Sequence, residues 1–303
     1  MKKTLLLTVI AVLVFGFTNV NAQITTAQTG NWNSTTTWVG GVLPTANDDV
    51  VIAAGNTITV NTVDAVCKSI SFGDATANIY LDTLAVLSIH GNFVLASTTH
   101  QAFSYWAAGS KLRFAGGADQ LLSGWTTSTT AASTCLVEAV VDKDSGKVYT
   151  TGNDVKITIG TSLEIISGTF ELATTDDIQG RNLDWSAASP AITVYANGVF
   201  DMAGGASHIR RASNTGEETK KIGKLTIHGE AYLATSSTNF LSFTDVDIEE
   251  GGVLYIPLNR GWSSNKFNPG TVTVKAGGKI LNSLVTDVWY SNTTTPTQLI
   301  LQN

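Results

Sequence analysis

The sequence predicts an all-β chain wound as a right-handed parallel β-helix, or a closely related β-solenoid, with a tryptophan-rich N-terminal cap. Three observations lead there. One phrase keeps returning: apolar-x-apolar, a glycine turn, apolar-x-apolar. It occurs as Leu87-Ser88-Ile89, Gly91, Phe93-Val94-Leu95, and as Ile192-Thr193-Val194, Asn197-Gly198, Phe200-Asp201-Met202. It returns as Val246-Asp247-Ile248, Gly251-Gly252, Leu254-Tyr255-Ile256, and as Val272-Thr273-Val274, Gly277-Gly278, Ile280. Glycine turns also recur in a drifting register beyond residue 60, and no segment after the first 22 residues has the 3.6-residue period of an amphipathic helix. Period-2 strands broken by turns and repeated along the chain are the pattern of stacked coils. A set of β-sandwich modules is the alternative, but sandwiches favour hairpin turns between alternating strands.

The elements follow in chain order. Lys2 and Lys3 precede an apolar run from Thr4 to Phe17, and Val20-Asn21-Ala22 ends on small residues. This is the pattern of an export signal over residues 1–22, cleaved after Ala22. The run is shorter than the roughly 20 residues a membrane span needs, and no later stretch is long and apolar enough. The rest, residues 23–303, is expected to be one elongated domain in an extracellular, cell-surface or periplasmic setting. Without residues 1–22, which hold two lysines and no acid, the formal charge moves from −6 to −8. A mildly acidic chain with no basic stripe argues against nucleic acid and anionic membranes. Charged residues are only 14% of the chain, so Thr, Ser, Asn and Gly must fill the outward strand positions.

The stretch from residue 23 to about 60 is the expected cap. It contains Trp32, Trp38, the turn Gly40-Gly41-Val42-Leu43-Pro44 and the strand Asp48-Asp49-Val50-Val51-Ile52, leading into Gly55-Asn56-Thr57-Ile58-Thr59-Val60. A first coil otherwise exposes apolar core and an unpaired strand edge, so large rings there serve as covers; a sugar-stacking platform is the other use of such tryptophans. This stretch resembles the opening of the eight-glycine domain of extracellular proteins, and equally the N-terminal module of secreted surface proteins of Bacteroidetes-type bacteria. The resemblance covers about residues 30–60 and implies a β-helix exposed at the cell surface.

Candidate chemistry is sparse. Asp245, Asp247 and Glu249 alternate with Val246 and Ile248, which places the three carboxylates on one strand face about 7 Å apart. They are candidates for binding calcium if a neighbouring coil adds oxygens, or for acid–base work on a glycan. A solvated acidic face that resists edge pairing is the favoured reading. His90 and His228 follow Leu87-Ser88-Ile89 and Leu225-Thr226-Ile227, so their matching repeat positions point to a structural role; His100 and His208 have no motif around them. Asp142-Lys143-Asp144-Ser145-Gly146 lacks the further ligands of a calcium loop and is expected to be a hairpin turn. Residues 207–223 hold Arg210, Arg211, Glu217, Glu218, Lys220 and Lys221 and few apolar residues, which predicts a charged loop thrown out between coils.

Trp125 and Trp262 stand in glycine- or serine-rich loops and are the candidate sugar-stacking residues; Trp106, Trp185 and Trp289 are expected to pack. Thr-x-Thr pairs at 57/59 and 271/273 are too irregular for an ice-binding face. Cys67 and Cys135 are compatible with a disulfide or with two buried thiols. No Cys-x-x-Cys occurs, which argues against zinc. No cofactor is expected. The sequence favours a non-catalytic surface protein for adhesion or glycan contact, with an extracellular polysaccharide or surface partner. A polysaccharide lyase or glycoside hydrolase of β-helix type is the alternative.

Overall fold

The computed structural model describes residues 22–97, 100, 102–123, 135–151, 156–173, 177–180, 190–202, 208–211, 223–233, 243–256, 270–282 and 298–301. Among these the chain is all β apart from a single 3₁₀ turn at Thr35–Thr37. It is a β-solenoid. Successive coils stack so that each strand pairs in parallel with its counterpart one coil on. The one antiparallel contact outside the strands is the bridge between Thr26 and Trp38. Parallel neighbours throughout the ladders exclude the sandwich alternative.

Each early coil visits three faces in turn. The first face carries Gln23–Thr25, Asp49–Ile52, Ile70–Phe72, Phe93–Val94 and Gln120–Ser123. The second carries Gly30–Asn31, Thr57–Val60, Asn78–Leu81 and Phe103–Trp106, which form a four-stranded sheet of their own. The third carries Ala65–Cys67, Val86–Ile89 and Lys111–Phe114. Further along, the long strands Cys135–Tyr149, Lys156–Glu171 and Ala191–Asp201 run around the corner between the third face and the first, and the first two begin on the face before it, where Lys156–Ile159 pairs with Asp177–Gly180. The third face then continues through Leu225–Ile227, Asp245–Ile248, Thr271–Val274 and Gln298–Leu301. The first continues through Glu230–Tyr232, Val253–Ile256 and Lys279–Asn282. Coil length drifts, from the 20 residues between the paired Val50 and Ile70 to the 33 between Ile192 and Leu225.

Parallel sheets in most proteins are covered on both sides and show unbroken apolar runs. Here one side of every strand faces a narrow interior and the other faces water, so burial alternates residue by residue, as in Thr57–Val60 and Asp245–Ile248. The recurring phrase is the corner between third and first faces: apolar-x-apolar closes one face, glycine turns, and apolar-x-apolar opens the next. The interior is built in columns. Cys67, Ile89 and Phe114 stack along the third face, and Phe170 lies over Phe200 on the first with ring centroids 6.3 Å apart. Trp32 and Trp38 are buried, meet edge to face at 5.0 Å, and are tied by a hydrogen bond from Trp38 Nε1 to the Trp32 carbonyl of 2.8 Å. The Trp32 amide donates to the Thr59 carbonyl, which seats the pair against the first coil.

Two sequence expectations change. Asp142–Gly146 is not a hairpin. Its flanks lie on successive faces of the solenoid and each pairs in parallel with the next coil, so Gly146, at φ 75°, turns a corner instead. Part of the expected charged loop is also strand: His208–Arg211 pairs in parallel with Asp177–Gly180. Low apolar content misled there, because only one side of a strand needs to be apolar. The remainder, 212–222, lies outside the described residues. Cys67 is a free thiol, fully buried, and burial pushes its pKa far up, so it behaves as an apolar core residue.

Candidate functional site

The acidic trio sits on the outer side of the third face. Val246 and Ile248 are buried, which turns Asp245 and Asp247 outward and leaves Glu249 at the following corner. Asp245 lies beside Thr271, and Asp247 lies between Thr226 and Thr273 of the adjoining coils. Two of the three carboxylates have basic partners. Asp247 Oδ2 is in contact with Lys224 Nζ one coil back, and Glu249 Oε1 accepts from Lys275 Nζ at 2.7 Å one coil on. The hydrogen bond from Lys275 to Glu249 holds that ammonium above its ordinary range. Asp247 and Glu249 thus each tie their coil to a neighbouring one. Among the described residues, no three His, Cys, Asp or Glu side chains are grouped so as to hold a metal ion.

The same arrangement recurs elsewhere. Lys68 pairs with Asp49, Lys111 with Glu138, Arg113 with Asp142 and Lys147 with Glu171, each between adjoining coils. Exposed pairs of this kind contribute about 0–1 kcal/mol each.

His90 and His228 each follow a third-face strand, after Ile89 and Ile227, at the corner leading to the first face. Their backbone amides reach the previous coil, that of His90 to the Cys67 and Lys68 carbonyls at 3.1 Å and that of His228 to Val194 at 2.7 Å. The His228 ring lies parallel to Tyr195 at 6.0 Å. His100 is different. It is fully buried, with Nε2 2.6 Å from the Ala77 carbonyl and Nδ1 3.4 Å from the Ala96 amide. These contacts suit a neutral ring donating from Nε2, and burial lowers its pKa. His208 lies in a strand, with its side chain outside the described residues. Trp106 is partly buried against the core. Trp125, Trp262, Trp185 and Trp289 lie outside the described residues, as do Glu217, Glu218, Lys220 and Lys221.

Two features escaped the sequence reading. Lys143 is only 3% exposed and points into the corner, where Nζ donates to the Ala118 carbonyl and to Gln120 Oε1, both at 2.7 Å. Gln120 is itself buried and donates from Nε2 to the Ile89 and Gly91 carbonyls. This chain of bonds fastens three successive coils at one corner. Tyrosines also stack coil over coil: Tyr80 on Tyr105 at 4.5 Å on the second face, and Tyr232 on Tyr255 at 4.2 Å on the first. Tyr232 additionally donates to Glu230 at 2.6 Å. The available clue was equal spacing from the strand phrase in neighbouring repeats, which becomes visible only once coil lengths are known.

Comparison with known protein families, with curated proteins and with solved structures finds no match to this chain.

Proposed function

We propose that the chain is an exported, non-catalytic surface protein whose solenoid displays long outer faces for adhesion or glycan contact. The observation that carries this reading is the pairing of Asp247 and Glu249, the carboxylates best placed for acid–base work, with lysines of neighbouring coils. Those groups are used to hold the stack together. Outward positions of the second face are hydroxyls, amides and tyrosine rings repeated from coil to coil, a surface suited to many weak contacts along a polymer. The N-terminal resemblance to secreted surface modules and the export signal support the location. Fold by itself carries little functional weight, since solenoids serve unrelated roles.

A glycan array paired with a reducing-end assay on uronate and neutral polysaccharides tests the reading. Retention of glycans without new reducing ends is the expected result. Turnover that disappears in Asp247→Asn, with the fold intact, would establish the lyase or hydrolase instead. Intact mass of the exported protein should show a mature chain starting at Gln23; retention of Lys2 and Lys3 would remove the export argument.

A further inference from the structure

We propose that the separate four-stranded sheet of the second face is a binding site for a neutral glycan, lying across its strands. The proposal rests on the glycan-contact reading above and gives it a place and a ligand class. One outward column runs through all four strands: Asn31 beside Thr59, Thr59 beside Tyr80, and Tyr80 beside Tyr105. Thr57 and Asn78 form a shorter column next to it, and Ser104 adds a further hydroxyl. These outward positions hold hydroxyl, amide and phenol groups only. By contrast, the third face carries charged side chains on several of its coils, at Lys111, Arg113, Glu138, Glu164, Asp245 and Asp247.

The charge around the sheet selects the ligand. Lys68 is the only lysine or arginine between Lys3 and Lys111, and it pairs with Asp49 on another face. The turns bounding the sheet contribute Asp64, Asp74 and Asp82 and no cation. A uronate or sulfated polymer would meet acids with nothing to balance its own charge. An uncharged sugar chain meets no such penalty. Its hydroxyls find Asn, Thr and Ser partners, and the C–H faces of its rings pack on tyrosine, which has an apolar body and a polar tip.

A local irregularity supports the assignment. The pairing between Asn78–Leu81 and Phe103–Trp106 shifts at Ser104, so that Ser104 and Tyr105 both face solvent between the inward Phe103 and Trp106. A bulge of this kind re-aims side chains and is common beside binding sites. It leaves Tyr105 46% exposed while its ring stays stacked on Tyr80. The stack pre-organises the aromatic surface, so little side-chain freedom is lost on binding. Size favours a sugar over a protein partner. Three strands of four residues and one of two, about 4.8 Å apart, offer on the order of 200 Å², against roughly 800 Å² per side for a stable protein interface.

Calorimetric titration of the full mature chain with neutral cello-, xylo- and manno-oligosaccharides and with oligogalacturonate tests the proposal. At least one neutral series should bind. Tyr105→Ala should weaken that binding about tenfold with an unchanged thermal midpoint, and Tyr255→Ala, on the first face, should leave it intact. Equal binding in both variants would overturn this site while leaving glycan contact standing. Binding of oligogalacturonate alone would overturn the neutral class. Self-association lost in Tyr105→Ala, without sugar binding, would show the face to be an interface between copies. No binding of any glycan would overturn both this site and the glycan reading.

Discussion

Leu84 is the one non-glycine residue with a left-handed backbone among the described residues, at φ 59°, and its side chain is 64% exposed. The next coil has Gly109 at the same corner, at φ 72°, where an added Cβ would run into the Leu84 side chain. A leucine held there costs about 1–2 kcal/mol, whereas asparagine tolerates the region. Leu84→Asn should therefore raise stability by about 1 kcal/mol in denaturant unfolding; a loss would show that the exposed leucine packs usefully. His100 allows a pH prediction. Burial is the main cause holding both His100 and His90 below the ordinary imidazole value. As pH falls through about 6.5, the unfolded chain takes up protons that the folded chain does not. Stability is then full above that value and is lost on acidification, until the depressed folded values are reached. The thermal midpoint should drop between pH 7.5 and 5.5. His100→Gln, which keeps a donor for the Ala77 carbonyl, should flatten the slope.

At the scale of the strand and its corner, the glycine of the recurring phrase has a single cause. Gly168 pairs with Gly198, and the registers that follow place Gly229, Gly252 and Gly278 in the same column. Coils approach so closely there that a Cβ on Gly198 would overlap the Ile165 carbonyl oxygen, and one on Gly252 that of Ile227. Those obstacles are backbone and cannot swing aside. Gly252→Ala should cost about 2–4 kcal/mol, at the high end for a point substitution, read as a shift in denaturant midpoint. Gly251→Ala, one residue earlier with open space but φ 78°, should cost only the smaller conformational term. Lys143 shows the opposite corner solution. Where the turn buries its own carbonyls, a lysine stem reaches in and satisfies them, and its charge is offset by hydrogen bonds to Ala118 and Gln120.

For the whole molecule, contacts run almost entirely between neighbouring coils, so stability is close to a sum of coil and interface terms. The ends of the stack then matter disproportionately. Trp38 is fully buried against Trp32 at the first coil. Trp38→Ala should cost about 3–5 kcal/mol. Hydrogen exchange should show the loss concentrated in residues 23–60, with later coils nearly unchanged. Uniform loss along the chain would mean that the solenoid unfolds as one unit.

The sequence by itself determined the β class, the stacking of coils and the inward set. Period-2 alternation and a glycine phrase that only a corner requires are local properties, and they survive any drift in coil length. It also placed Asp245 and Asp247 on one outward strand face, whereas Glu249 lies beyond the strand at the following corner. What those carboxylates do was decided by the tertiary structure alone, because Lys224 and Lys275 lie more than twenty residues away and reach them only through the coil register. The same holds for Tyr80 with Tyr105, for Lys143 with Gln120, and for Asp142–Gly146, which has the composition of a hairpin but turns a corner. In a solenoid, neighbours across the stack are one coil apart in sequence. That coil varies from about 20 to 33 residues, so lateral partners cannot be counted off in advance.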